Sequence, residues 1–303
     1  MRNATIRQLQ IFSVAASHLS FARAAENLHL THAAISLQIK QLEEVSGTLL
    51  FERIGKRVFL TEAGEILLDH TRQILQSLKE ADAALLALKG LKGGRIAVAV
   101  ASTAEYFAPG LLAEFRRTQA DVRIRLLIDN RDTVSRLLAG NEVDVAIMGR
   151  PPAELDAVAV SFAPHPLVIV ASADHPLARH ASVAIEDLAG ETLIVRESGS
   201  GTRSAMEEFF QERSIKPRIG MEMGSNEAIK QAVVAGLGIS FISLHTLGLE
   251  LSVGRLCILK VEGTPVMRRW HIVRHRSKHL TPALAAFWDF VVEFAPAYLR
   301  RLV

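Results

Sequence analysis

Residues 21–40, Phe-Ala-Arg-Ala-Ala-Glu-Asn-Leu-His-Leu-Thr-His-Ala-Ala-Ile-Ser-Leu-Gln-Ile-Lys, constrain the fold more than any other stretch of the chain. Phe21, Ala24, Ala25 and Leu28 recur at helical spacing, which gives a short first helix one apolar face. The small Ala24 and Ala25 leave room for a second helix to cross close by. That helix starts after Thr31, whose hydroxyl suits an N-cap, and buries Ile35, Ile39 and Leu42. Two helices joined by a tight polar turn are the minimal device for seating a helix in a DNA major groove. A helical hairpin inside an ordinary core has the same spacing, so the neighbouring segments decide between the two.

Those neighbours favour DNA. Residues 1–60 hold seven Lys/Arg and four Asp/Glu, a net +3, which is the formal charge of the whole 303-residue chain. All the basic excess therefore sits beside the helix pair, where phosphates would be met. Leu49–Leu60 reads as two short strands around a turn at Gly55, a basic wing from which Arg53, Lys56 and Arg57 project. From Glu62 onward, Leu67, Thr71, Ile74, Leu78, Ala81, Leu85 and Leu88 alternate steps of four and three, the seam of a coiled coil. A DNA reader followed by such a seam predicts a dimer on an inverted-repeat operator. Lys89–Gly94 reads as the linker.

Beyond residue 94 strand and helix alternate. Strands are expected near 95–101, 122–128, 143–148, 167–171, 192–196, 218–222, 239–242 and 268–274. Helices are expected near 106–118, 132–139, 202–213, 225–235 and 281–294. This order predicts parallel sheets with right-handed crossovers in two α/β lobes around a cleft. Three strand-to-helix junctions carry hydroxyls and glycines: Ser102-Thr103, Ser198–Arg203 and Gly224–Asn226. Helix N-termini of that kind favour anions. Ser102, Thr103, Ser200, Gly201, Thr202, Arg203, Ser225 and Asn226 are thus expected to hold a small anionic, phosphorylated effector between the lobes.

The blocks Arg-Gln-Leu-Gln-Ile-Phe, Ser-Phe-Ala-Arg-Ala-Ala-Glu-Asn-Leu, Ala-Ile-Ser-Leu-Gln-Ile-Lys-Gln-Leu-Glu, Leu-Phe-Glu-Arg and Leu-Thr-Glu-Ala-Gly follow one another over residues 7–64. In that order they resemble the LysR-type transcriptional regulators. In the second half, residues 197–203, 224–233, 236–243 and 263–270 look like the regulators of Calvin-cycle (RuBisCO) operons. The resemblance implies an all-α winged helix–turn–helix domain (1–60), a long dimerisation helix (61–90) and an α/β effector domain (91–303). The last is expected to be periplasmic-binding-protein-like, with Rossmann-like lobes at about 94–163 plus 268–303 and at about 164–267. It further implies an activator, a homodimer or homotetramer, and RNA polymerase as a partner. Carried over by position, His32, Ala33 and Ser36 meet base edges, with Thr31, Gln38, Lys40, Arg53, Lys56 and Arg57 near phosphates or in the wing. His32 stands where many members have Gln, and Leu37 where many have Arg or another polar group.

Rival readings lack their chemistry. Gly236-Leu237-Gly238 begins like a dinucleotide fingerprint, but Phe241 occupies the third glycine position. No Gly-x-Ser-x-Gly elbow occurs. His271, His275 and His279 fall on a strand-like segment, where 271 and 275 stand roughly 13 Å apart, so no metal site is expected. Cys257 lies in an apolar strand, and one cysteine cannot form an internal disulfide. No cofactor, catalysis or membrane span is expected, and the chain reads as cytoplasmic. The alternatives are a LysR-type regulator of sulfur, nitrogen or aromatic-compound metabolism, a two-lobed solute-binding protein, or an α/β enzyme.

Overall fold

The computed structural model describes residues 3–55, 57–88 and 93–302, with backbone alone at Arg53, Glu80, Ala83, Ala84 and 86–88. The chain divides into two compact units, Met1–Lys89 with Gly140–Glu142, and Gly90–Ala139 with Val143–Val303.

The first unit opens with three helices, α1 (Ile6–His18), α2 (Phe21–Leu28) and α3 (His32–Ser46). Thr5 caps α1 in a capping box with Gln8, while Ser20 and Thr31 cap α2 and α3 through their hydroxyls. Phe12, Ala15, Phe21, Ala24, Ile35, Ile39 and Leu42 close into one core, with Ala24 and Ile35 completely buried at the helix crossing. Strands β1 (Phe51–Ile54) and β2 (Arg57–Leu60) pair antiparallel, Phe51 opposite Leu60 and Ile54 opposite Arg57. Gly55 takes φ +63° at the turn. The wing tip at Lys56 lies outside the described residues.

Helix α4 (Glu62–Leu88) has 27 residues and so runs about 40 Å. It begins against the hairpin, where a Cβ on Gly64 would come within 2.1 Å of the Leu50 carbonyl oxygen; only glycine allows this approach. Along the expected seam, Thr71 is buried, but Ile74, Leu78 and Leu85 are 42%, 42% and 58% exposed. Ile74, Leu78 and Leu85 thus form an exposed apolar stripe among the described residues of the first unit, while the side chain of Leu88 lies outside the described residues.

The second unit follows β3 (Gly94–Ala101), α5 (Ala108–Thr118), β4 (Val122–Asp129), α6 (Arg131–Ala139), β5 (Val145–Met148) and β6 (Ala157–Ser172). It continues through β7 (Thr192–Arg196), α7 (Gly201–Gln211), β8 (Arg218–Met223), α8 (Asn226–Val234) and β9 (Ile239–Ser243). It ends with α9 (Gly248–Ser252), β10 (Leu256–Leu259), β11 (Val266–His275) and α10 (Pro282–Leu299). The strand order is β4-β3-β5-β11-β6-β9-β7-β8, with β10 paired to β6. Within each lobe the expected parallel pairing holds, β4-β3-β5 on one side and β9-β7-β8 on the other. The sheet as a whole is mixed, because β6 and β11 run antiparallel to each other and carry the chain between lobes.

Strand β6 has 16 residues, where the sequence pattern predicts only 167–171. Pro164 and Pro166 obscure its first half, since proline is tolerated only where no ladder donor is needed. Strand β9 pairs with Leu167–Val170 alone, so the prolines occupy a stretch with β11 on one side. One core gathers β3, β5, α5 and α10 around Trp270, Phe107 and Phe287. The other lobe packs Leu193, Phe209, Phe210 and Phe241 on one sheet face and Ile194, Ile229 and Ile242 on the other.

Candidate functional site

Two places present chemistry. The first is the outer face of α3. With Ile35, Ile39 and Leu42 turned inward, helical periodicity turns His32, Ala33, Leu37 and Lys40 to solvent, and Ser36 and Gln38 are half-buried beside them. The Thr31 hydroxyl accepts from the Ala34 amide at 3.2 Å and is committed to the cap. Lys40 reaches Glu44 at 4.0 Å with both side chains largely exposed, a weak pair that leaves the ammonium available. Leu37 is 54% exposed, an apolar group held out on an otherwise polar face. Arg57 is exposed at the start of β2; the Arg53 side chain and all of Lys56 lie outside the described residues.

The second is a cavity of about 100 Å³ in the second unit, between its two lobes. Strand β3 delivers Ser102 and Thr103 to it, β7 delivers Arg196, and the first turn of α7 delivers Ser200, Gly201 and Thr202. Thr103, Ser200 and Thr202 are all buried. Ser200 makes no side-chain cap bond, and the first amides of α7 lie beyond reach of any carbonyl of their own helix. Gly199 precedes them at φ +86°, a left-handed turn that suits glycine, with Asp132 packed 3.1 Å from where its Cβ would lie. The Asp132 amide donates to the Gly199 carbonyl at 3.2 Å, bracing one lobe against the other.

Arg196 dominates this junction, yet sequence reasoning missed it because it ends an apolar strand. Its side chain is buried, and its Nε and Nη2 donate to the Glu197 carboxylate at 2.7 and 2.8 Å. Nη1 donates to Asn226 Oδ1 at 2.8 Å and Nη2 to Ser102 Oγ at 2.9 Å. Asn226 in turn donates to the Ser102 carbonyl at 3.2 Å. Burial works against ionisation of Glu197, but the hydrogen bonds and charge of Arg196 outweigh it and hold the carboxyl below its ordinary range.

The expected anion site is therefore partly redistributed. Ser102, Thr103, Ser200, Gly201 and Thr202 line the cavity. Arg203 does not: its guanidinium turns back to Glu207, the Arg196 carbonyl and Glu222, because a first-turn side chain readily meets the residue four positions on. Ser225 caps α8 through the Ala228 amide, and Asn226 braces Arg196. In their place the wall holds Arg131, Arg150, His165, Glu208 and Arg268. With Arg196 that makes four arginines in the wall, three of them paired with a carboxylate: Arg196 with Glu197, Arg131 with Asp132 at 3.1 Å and Arg268 with Glu208.

A model for the bacterial regulatory helix-turn-helix proteins of the lysR family matches residues 6–65, and one for the LysR substrate binding domain matches residues 89–296. The chain is 47% identical over 298 residues to the RuBisCO operon transcriptional regulator of Allochromatium vinosum, covering 98% of this chain and 99% of that protein. It is 48% identical over 301 residues to the HTH-type transcriptional regulator CfxR of Cupriavidus necator, covering 99% and 95%. Among solved structures, the Synechocystis PCC6803 CcmR regulatory domain in complex with 2-PG matches with TM-score 0.64 at 38% identity, covering 67% of this chain and 99% of that one.

Proposed function

The chain belongs to the LysR family of bacterial regulatory helix–turn–helix proteins, and on that premise we propose that it controls carbon-fixation genes in response to a small phosphorylated acid. It binds an inverted-repeat operator as a dimer zipped along the exposed stripe of α4, and two such dimers make the tetramer. His32, Ala33 and Ser36 read base edges from α3, while Thr31, Gln38, Lys40, Arg53, Lys56 and Arg57 lie along phosphates. The work done is binding rather than catalysis, in the cytoplasm, with RNA polymerase as the downstream partner.

The observation that carries the effector reading is the arginine-rich cavity with Thr103, Ser200 and Thr202 buried at its α7 end. Unpaired helix amides, hydroxyls and guanidinium groups converging on one small space favour an anion with several acceptor oxygens. The CcmR regulatory domain is solved with 2-PG, 2-phosphoglycolate, an acid of this class. Ligand held between lobes favours one lobe arrangement, and a preference of a few kcal/mol shifts the population enough to alter DNA binding.

The test is fluorescence anisotropy of labelled duplexes with and without 2-phosphoglycolate. The control region of a RuBisCO operon should bind far more tightly than random DNA, with affinity falling steeply as salt rises. The acid should change that affinity or the footprint. Equal affinity for random DNA, or for fragments upstream of sulfur, nitrogen or aromatic-compound genes, would refute the assignment.

A further inference from the structure

The junction between the lobes has a polarity that holding an anion does not require. From the lobe of β3, β4 and β5 come Ser102, Tyr106 and Asn130; from the lobe of β7, β8 and β9 come Arg196, Glu197, Asn226 and Glu227. Arg196 donates to Ser102 Oγ at 2.9 Å, Asn226 donates to the Ser102 carbonyl at 3.2 Å, and Asn130 bonds the Glu197 carboxylate. Tyr106 donates its hydroxyl to Glu227 Oε1 at 2.6 Å. Burial and that carboxylate both push the phenol pKa up, so Tyr106 keeps its proton and is the donor. In each of these contacts the first lobe gives a neutral group, and whatever charge is present stands on the second.

Those charges are closed on one another within the second lobe. Arg196 holds both oxygens of Glu197. Glu227 is paired with Lys230 at 2.6 Å, three positions on along α8. Lys230 is 3% exposed and reaches Glu250 of α9 at 2.8 Å and the Thr246 carbonyl at 3.0 Å, with its ammonium 4.7 Å from the centre of the Tyr106 ring. Desolvation works against ionisation of Glu227, but the bonds from Lys230 and Tyr106 outweigh it and hold the carboxyl below its ordinary range. An ion pair split across the junction would leave two uncompensated charges whenever the lobes separated. Here separation gives up only hydrogen bonds to neutral groups, and at the exposed Glu227 water can replace the phenol.

We infer that the junction is a releasable latch, closed by Tyr106 on Glu227, whose opening parts the two lobes and gives access to the cavity between them. Strands β6 and β11, which carry the chain from lobe to lobe, are the hinge. Neither Tyr106 nor Glu227 lines the cavity, so the latch governs access without touching what is bound. This goes beyond the effector reading and does not depend on it, because the lobes part with no ligand present. One backbone bond reports the motion. The Asp132 amide lies in the first turn of α6, beyond reach of any carbonyl of its own helix, and donates across the junction to the Gly199 carbonyl at 3.2 Å. Parting the lobes exposes it to solvent, whereas the strand ladders inside each lobe stay closed.

Hydrogen–deuterium exchange on the ligand-free, full-length chain tests this, read by mass spectrometry at single-residue level. In the unmutated chain the Asp132 amide should exchange about tenfold or more faster than the amides of the β3–β4 and β7–β8 ladders, as a local opening does. Tyr106→Phe should speed Asp132 exchange by a further five- to tenfold or so, the scale of one hydrogen bond to a charged group, and leave the ladders within about twofold. In a Glu227→Ala background, where Lys230 keeps Glu250, adding Tyr106→Phe should change little, since the hydroxyl has lost its acceptor. Asp132 protected as strongly as the ladders in the unmutated chain would overturn the latch. So would unchanged Asp132 exchange in folded Tyr106→Phe, or ladder amides that speed up in step with it. Failure of 2-phosphoglycolate to bind would count against the effector reading alone, because no ligand enters this measurement.

Discussion

The reading face of α3 and the cavity of the second unit are built on opposite plans. On α3 every proposed contact falls within residues 31–40, and the helical period alone decides which side chains face out. The cavity draws on β3, β7, α7, the start of α6, the end of β5 and the two crossing strands, residues as far apart as Ser102 and Arg268. A face made from one helix tolerates substitution piece by piece. A cavity made from two lobes does not, because several of its members also hold the lobes together.

Arg196 gives the sharpest test of that contrast. Replacing it by methionine keeps the volume but strands Glu197, Asn226 and Ser102 at the junction. Removing one partner of a buried pair costs about 3–5 kcal/mol, far above the value of the intact pair itself. Urea denaturation should show the second unit losing stability on that scale, with the first unit's transition unmoved. A shift below about 1 kcal/mol would mean that the junction is an ornament rather than a brace.

The opposite plan predicts loss of recognition without loss of structure. His32→Ala removes an exposed side chain from the face of α3 and should cost about 1–3 kcal/mol at the operator, with little change on random DNA. Binding isotherms on both duplexes decide it. Equal losses on the two would move His32 from base reading to general phosphate attraction.

These plans also explain how much could be read from sequence. The caps at Thr5 and Thr31, the stripe Ile35–Ile39–Leu42, the hairpin around Gly55 and the long α4 all follow from local periodicity and turn chemistry. The lobes were legible as strand–helix alternation for the same reason. Of the cavity wall, Ser102, Thr103 and Ser200–Thr202 were legible in the same way, but its arginines and His165 were not. Arg203 follows a glycine-rich anion loop and looks like the natural cation, yet helix geometry sends it to Glu207 and Glu222. Arg196 hides at the end of Leu-Ile-Val, where a strand reads as core. His165 and Arg268 stand 103 positions apart, and only the β6–β11 register joins them. The first half of β6 is masked by its own prolines.

Acidification separates the two regions by another route. His245 is half-buried beside His165 and Phe107, and desolvation lowers its pKa from an ordinary value near 6.5 to about 4. Between these values the unfolded chain binds more protons than the folded one, so stability rises with pH across the window. Taking pH from 7.5 to 5 should therefore cost the second unit about 2 kcal/mol through this one group. His245→Phe should flatten that dependence in urea titrations. An equally steep profile in the variant would assign the acid sensitivity elsewhere.

Thr31 carries the smallest expected effect and separates fold from function within a single side chain. Its hydroxyl caps α3, so Thr31→Ala should lose about 1 kcal/mol of the first unit's stability. The same residue is proposed to lie beside a phosphate. Thr31→Asp keeps a good cap and places a negative charge where the helix dipole welcomes it, so stability should hold or rise slightly. The charge would meet the DNA backbone, however, and binding should weaken on every sequence, most at low salt where screening is least. If Thr31→Asp binds DNA as well as the parent chain at low salt, Thr31 is a cap alone, and the phosphate track along α3 must begin further down the helix.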